Sequence, residues 1–358
     1  MTQSLVVGVD AGATSTRVAV HTLDGTRVGY ARAGAGNPTA HGLAKAVTAV
    51  ATALEEALGP LDGGRVAASL AGVAGHVPEM VPELAKVWAA HGIAEGPHYA
   101  GDVTIAYAAG TAEPDGSLLL SGTGAVAAQV VGYELSVIAD GLGWLLGDAG
   151  SGFWIGRRAV KAVVEALDRG LPVTALSPST LTKASPDMPA AASPSAPAAA
   201  SPGTPAAAAR DGSWASGGEL AALVGEHFLG TERPATPRAA ADRIVRLSQA
   251  DHMRLAALSS LVSQAATAGD PTAVKIVHEA ADRLVATLRR VHVSGPVVLA
   301  GSVLTSDGPV RRAVTELLGG ETVTTAGDAA GAAAWLAARP LLTEPEAKAR
   351  HSAFTTGG

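Results

Sequence analysis

The sequence predicts an α/β chain of two similar parts, each opened by a strand, a turn of small residues and a returning strand. Three observations predict it. Residues 5–10 are an apolar run ending on Asp10, followed by a Gly/Ala/Thr turn and a second β-branched run over 15–21. The same arrangement returns roughly one domain length later, where 117–121 lead through Gly122-Thr123-Gly124-Ala125 into 126–131. Finally, 358 residues are too many for one ordinary core and suit two domains sharing an interface.

The remaining elements follow in order. A third strand is expected over 27–33. Leu43, Val47, Val50, Leu54 and Leu58 recur at spacings of three and four, which marks an amphipathic helix on the sheet. Residues 66–71 read as a strand, 81–91 as a helix, and 98–101 as a short strand running into Asp102 and a helix over 103–109. The second half is mostly helical, with periodicity over 239–267 and 272–291. A strand over 296–300 enters Gly301-Ser302, ahead of a helix opened by Ser306 and Asp307, and an alanine-rich helix follows over 329–338. The stretch 185–209 stands apart: 21 of its 25 residues are Ala, Pro or Ser, and its six prolines remove donors and break helices. It is expected to be a flexible or polyproline-like insert.

Composition narrows the function. The apolar fraction of 47% excludes disorder over the whole chain, and the net charge of −6 argues against nucleic acid as a partner. No basic start precedes an apolar stretch, and no window approaches 18 uninterrupted apolar residues. No membrane association and a cytoplasmic location are therefore expected. The chain has no cysteine, which excludes disulfides, cysteine-ligated zinc and iron–sulfur clusters.

Chemistry concentrates in a few segments. In the first turn, Gly12 lets backbone N–H groups approach an anion, while Thr14, Ser15 and Thr16 add hydroxyl donors. A carboxylate beside phosphates is repulsive without a cation between them, so Asp10 implies Mg²⁺ held through water. Read alone, the turn fits an ordinary hairpin equally well. The turn Gly122-Thr123-Gly124 offers a second such site, and two could grip one polyphosphate. Gly301-Ser302 fits close approach of a nucleoside, or a plain strand-to-helix turn. Neither a Walker loop nor G-x-G-x-x-G is present. Asp102 is either a helix N-cap or a general base for a hydroxyl attacking phosphorus. Asn37 is a turn residue or a contact to substrate hydroxyls. The segment 140–154 joins five glycines to two tryptophans and a phenylalanine, as a concave site would, with Asp148 its candidate sugar contact.

Together these segments resemble the sugar kinase/actin-like ATPase superfamily, and within it the N-acetylglucosamine kinase branch of the BadF/BadG-type ATPases. The resemblance rests on VGVDAGATSTRVAV, GNPT, GDVTIAYAAG, LLLSGTGAVAA, GLGWLLGDAGSGFWIG and VVLAGSV, in the family's order. It implies two actin-like (ribonuclease H-like) domains with a central cleft, over 1–116 and 117–325. The insert 185–209 falls in the second domain, a helix over 326–340 returns to the first, and 341–358 form a tail. It further implies ATP and Mg²⁺, with Asp10 orienting the metal. Gly12, Thr14, Gly122 and Thr123 would hold phosphates, and Gly301 and Ser302 the adenosine side. Asp102 would be the base for a sugar 6-hydroxyl, and Asn37, Gly141, Asp148 and Gly152 would line the sugar pocket. Members often carry Trp at Leu142, Ser at Ala125 and Glu at Ala149, which bears on the exact sugar: N-acetylglucosamine, glucosamine or another hexose. The related dehydratase activators need cysteines that this chain lacks; a chaperone-like ATPase would keep the phosphate loops but need no base beside a sugar pocket. A homodimer is compatible with the resemblance and has no signature in the sequence.

Overall fold

Every residue of β1 (Leu5–Ala11) except Asp10 is buried, the pattern of a central strand covered on both faces. This is seen in a computed structural model that describes residues 4–170 and 218–357; the insert 185–209 lies outside the described residues. β1 turns back into β2 (Thr16–Thr22) and then β3 (Arg27–Ala33), both antiparallel steps. The short α1 (Pro38–His41) and the amphipathic α2 (Leu43–Leu58) lead to β4 (Val66–Val73), α3 (Met80–Ala90), β5 (His98–Ala100) and α4 (Asp102–Ala108). β4 and β5 add in parallel on the other side of β1, so the order is β3-β2-β1-β4-β5.

The pattern then repeats. β6 (Gly116–Ser121), β7 (Ala125–Val131) and β8 (Glu134–Asp140) form the antiparallel side of a second sheet, followed by the short α5 (Gly143–Leu146). Next come α6 (Gly152–Asp168), α7 (Glu219–Leu229), α8 (Pro237–Ala250), α9 (Met253–Ala257), α10 (Ser259–Thr267) and α11 (Pro271–Leu288). β9 (Val297–Ala300), α12 (Ser302–Thr305), α13 (Pro309–Leu317), β10 (Val323–Thr325), α14 (Ala329–Ala338) and α15 (Glu344–Thr355) complete the chain. The second order, β10-β9-β6-β7-β8, is the first with each strand replaced by its counterpart. The duplicated hairpin of the sequence is thus a duplicated sheet. Among the described residues no helix is long and apolar enough to cross a membrane.

Two compact units emerge, one of Met1–Ser151 with Ala280–Gly358 and one of Gly152–Glu279. Both sheets belong to the first, so the expected boundary between 116 and 117 falls inside it. One core joins Val7, Val9, Val50, Leu54, Leu84 and Trp88 between the first sheet and α2 and α3. Another joins Val6, Tyr107, Leu118, Trp335 and Phe354 on the sheet's opposite face. α14 can lie on β1 because Gly8 has no side chain: a Cβ there would stand 2.0 Å from the Ala330 carbonyl oxygen. The second unit is helical, and Gly156 of α6 plays the same part against the Leu255 carbonyl.

Several expectations need correction. Residues 341–358, expected as a tail, carry α15, started by a capping box between Thr343 and Glu346. The continuous periodicity over 239–267 is broken after Ala250, where Asp251 leaves the helical conformation and its carboxylate takes the Met253 amide at 3.0 Å to begin α9. The helix after Gly301 starts at Ser302 rather than at Ser306 and Asp307, and α13 begins after Gly308. β8 was not expected, because five of its seven residues are exposed and leave no alternation to read.

Candidate active site

The first strand ends carry one group of predicted residues. Asp10 stands beside Gly72 of β4, and Gly72 beside Ala100 of β5. Asp10 and Ala100 are therefore two strand spacings apart, about 10 Å, and Asp102 follows two residues later. The turn after β1 closes with the Gly12 amide on the Ser15 carbonyl oxygen, 3.0 Å. Gly12 has no structural need to be glycine: its φ is not positive, and a Cβ would meet only the Ser15 oxygen at 3.5 Å. Thr14 is exposed at the same tip.

The loop of Asn37 is tied to this turn. The Gly36 amide donates to the Gly12 carbonyl oxygen at 2.9 Å, and His41 Nε2 lies 2.8 Å from the Ala13 carbonyl oxygen. Asn37 itself is the N-cap of α1: its Oδ1 accepts from the Ala40 amide at 3.0 Å and from the Thr39 hydroxyl at 2.7 Å. The turn reading of Asn37 therefore holds for its oxygen, which leaves its amide nitrogen as the donor to offer a ligand.

Asp102 is not the N-cap. Gly101 takes that position, and Asp102 is the first helical residue. Its Oδ1 meets only the adjacent Val103 amide, at 3.0 Å, and the side chain is exposed. It also stands on the rim of a cavity of about 520 Å³ with Leu70, Tyr99, Val103, Leu135 and Leu336. It is thus a carboxylate freed from capping and open to solvent at the start of α4.

Asp10 is electrostatically confined. Burial raises its carboxyl above the usual range, Arg17 draws it back, and Asp102 and Asp328 push it up again. Arg17 Nη1 sits 2.9 Å from Asp10 Oδ2. Sequence reasoning missed this arginine, although an Arg directly opposite Asp10 in an antiparallel pair was a readable signal. Asp328, capping α14 and paired with Arg27 at 2.9 Å, was also missed. Arg17 takes Oδ2 of Asp10, and Oδ1 is a second hard oxygen of the kind that suits Mg²⁺ held through water. Among the described residues no three His, Asp or Glu side chains form a metal-holding group.

The second strand ends carry the other group. Thr123 is exposed at the tip between β6 and β7. Gly122, like Gly12, is not required by the fold, its nearest neighbours being the Ser302 amide nitrogen at 3.7 Å and Gly301 at 3.9 Å. The turn at Gly122 and the turn at Gly301-Ser302 are thus adjacent. Gly301 does have a structural reason: its φ is +81° and a Cβ would stand 2.4 Å from the Ser121 carbonyl oxygen. Asp148 is buried with a carboxylate oxygen 2.9 Å from where a Cβ on Gly124 would lie. Burial raises its carboxyl, the amides of Ala125 and Gly143 lower it, and Asp140 raises it. Gly141 has φ +72° and donates to the Ala125 carbonyl oxygen at 3.0 Å. Gly152 is buried as the first residue of α6, in the second unit.

The sequence matches the BadF/BadG/BcrA/BcrD ATPase family over residues 7–335. Among curated proteins there is no match. Solved structures give the fold. A candidate N-acetylglucosamine kinase from Chromobacterium violaceum is similar with TM-score 0.61 at 22% identity, over 93% of this chain and 99% of that one. A second candidate N-acetylglucosamine kinase, from Porphyromonas gingivalis, has TM-score 0.56 at 18% identity over 98% of both chains. A ROK family glucokinase from Streptomyces griseus, solved with glucose and AMPPNP, has TM-score 0.51 at 19% identity over 93% of this chain and 99% of that one. Identities this low establish the architecture, an α/β fold of two mixed five-stranded sheets like that of actin-like sugar kinases, and leave the chemistry to the residues.

Proposed function

Because this chain belongs to the BadF/BadG/BcrA/BcrD ATPase family, we propose that it is an ATP-dependent kinase whose acceptor is the 6-hydroxyl of an amino sugar. N-acetylglucosamine comes first, ahead of glucosamine or another hexose. The observation that carries this reading is Asp102: a carboxylate relieved of capping, two residues beyond a strand whose end lies about 10 Å from Asp10.

In this reading Asp102 accepts the proton of the sugar hydroxyl as its oxygen bonds to the γ-phosphorus. The bond from that phosphorus to the β,γ-bridging oxygen breaks, and ADP leaves. In the turns that the Gly12 and Gly122 amides close, the bare glycine backbone lets phosphate approach and the Thr14 and Thr123 hydroxyls bind its oxygens. Gly301 and Ser302 flank the adenosine. Asn37, Gly141 and Asp148 face the sugar, Asn37 through its amide nitrogen. Mg²⁺ bound through water at Asp10 would offset phosphate charge. Leu142, Trp144, Leu145 and Leu146, which are 42–81% exposed, supply apolar area that a bound acceptor would cover.

The test is ADP release measured over a panel of hexoses and amino sugars, with calorimetry of nucleotide binding alongside. N-acetylglucosamine should stimulate turnover most, and Asp102→Asn should lower kcat by roughly 10²–10⁴ while leaving nucleotide affinity in place. A panel in which no sugar stimulates ADP release, or a variant with full turnover, removes the reading.

A further inference from the structure

Arg17 has no part in the site as assigned above. It stands directly opposite Asp10 in the β1–β2 ladder, with its Nη1 2.9 Å from Asp10 Oδ2. The pair is asymmetric: the Asp10 side chain is 15% exposed and that of Arg17 39%. Asp10 therefore depends on a protein cation for its charge, whereas Arg17 keeps an arm in solvent.

The surroundings sharpen the point. Asp328 is already matched by Arg27 at 2.9 Å, and Asp102 adds negative charge near Asp10. On the other flank Arg32 is the register partner of Arg17 on β3, so like charge lies beside Arg17 on that side. Among the described residues the Arg17 guanidinium is ion-paired only with Asp10, one residue from the end of the turn whose tip exposes Thr14. A guanidinium offers five donors in a planar fork that matches phosphate oxygens, and a half-exposed arm can turn without unpacking the sheet.

We propose that Arg17 is the resident counter-ion of Asp10, which it holds while no Mg²⁺ is bound and leaves for the nucleotide phosphates when Mg²⁺ takes its place. Asp10 is then neutralised in both states, and no buried carboxylate is left unpaired at any stage. This rests on the nucleotide-binding part of the kinase reading and is indifferent to the sugar.

The experiment uses the full chain as wild type, Arg17→Met, and the double variant Asp10→Asn/Arg17→Met. Thermal unfolding is followed with and without Mg²⁺ alone, and ADP binding is measured by calorimetry with Mg²⁺ and with a chelator. Wild type should ignore Mg²⁺ alone. Arg17→Met should melt lower than wild type and recover by a few degrees on adding Mg²⁺. Its ADP affinity in the presence of Mg²⁺ should fall about tenfold, the size of one charged contact to phosphate. The double variant, with both charges gone, should regain the lost melting temperature and be insensitive to the metal. If Arg17→Met does not fold, a folded double variant still supports the counter-ion role and an unfolded one overturns it. The proposal also fails if Mg²⁺ alone moves wild type and Arg17→Met equally, or if the variant's ADP affinity with Mg²⁺ is unchanged. Absence of ADP binding in wild type would sink the nucleotide reading itself, a result distinct from normal binding with unresponsive variants.

Discussion

Asp140 Oδ1 and Oδ2 accept the amides of Asp148 and Ala149 at 2.7 and 3.0 Å, and Asp140 and Asp148 both have left-handed backbone, with φ of 66° and 56°. Non-glycine residues keep such dihedrals only where their surroundings impose them. Asp140 is therefore the peg that sets the backbone of the proposed sugar segment. Asp140→Ala should cost about 1–3 kcal/mol of stability from two orphaned amides. In steady-state kinetics it should also raise the acceptor KM while nucleotide affinity stays constant. A second residue-scale prediction concerns acid. His21 is fully buried, its Nδ1 has no partner, and burial, with Arg27 nearby, lowers its pKa to about 4. The folded state thus holds it neutral where the unfolded chain, near 6.5, takes up a proton. Its contribution is complete above pH 6.5 and is lost as pH falls toward 4, by a total of roughly 3 kcal/mol. His227 and His351, also lowered by burial, act in the same sense. Denaturant midpoints at pH 7 and pH 5 should show a smaller acid loss in His21→Leu than in wild type.

Among elements, the contrast between Gly8 and Gly12 separates glycine for packing from glycine for a ligand. Both lie in the first hairpin, and their neighbourhoods in sequence look alike. A Cβ at Gly8 would stand 2.0 Å from Ala330 O and 2.2 Å from Ala334 N, so Gly8→Ala must push α14 off β1. Several kcal/mol of stability should go with it. Gly12→Ala meets no atom closer than 3.5 Å and should melt like wild type. Its nucleotide affinity should nevertheless drop in calorimetry, because the added methyl fills the space proposed for phosphate. Equal melting temperatures for the two variants would contradict this division. Element boundaries were legible where burial is one-sided, as in α2, whose apolar spacing marks its packed face. They were hidden in α6, where Gly152 and Gly156 give the look of a loop. The reason for Gly156 is the Leu255 carbonyl, far along the chain.

At the scale of the whole chain, α15 matters most among the segments expected to be unstructured. Trp335 Nε1 donates to the Ala347 carbonyl oxygen at 2.7 Å, His351 Nε2 lies 2.7 Å from the Ala108 carbonyl oxygen, and the Asp328 amide donates to Thr355. Phe354 is fully buried against the ring of His21, with centroids 4.9 Å apart. α15 thereby ties β2, α4 and α14 together. Phe354→Ala should cost about 3–5 kcal/mol, read as a lowered denaturant midpoint. A near-neutral result would mean that the helix is dispensable. The sequence did hold a clue, the Thr343 and Glu346 spacing of a capping box. With Ala347, Phe354 and Thr355 its only buried residues, the helix shows no apolar stripe to confirm it.

Local chemistry made the two hairpin turns readable in the sequence alone. Strands end where small and polar residues begin, and a duplicated pattern in the chain became a duplicated sheet. The positions of Gly12, Thr14, Gly122 and Thr123 at the turn tips were legible for the same reason: a turn is set by neighbours in sequence. What only the tertiary structure decided is which charge meets which. Asp10 pairs with Arg17, Asp140 with the amides of Asp148 and Ala149, and Asp328 with Arg27, while Asp102 is left free. Those choices depend on strand register and on helix packing between residues up to 301 positions apart. Local propensity carries no information about such distances, so the pairing of Asp328 with Arg27 could be known only once the chain had folded, whereas Arg17, seven residues from Asp10 in one hairpin, was within reach of the sequence.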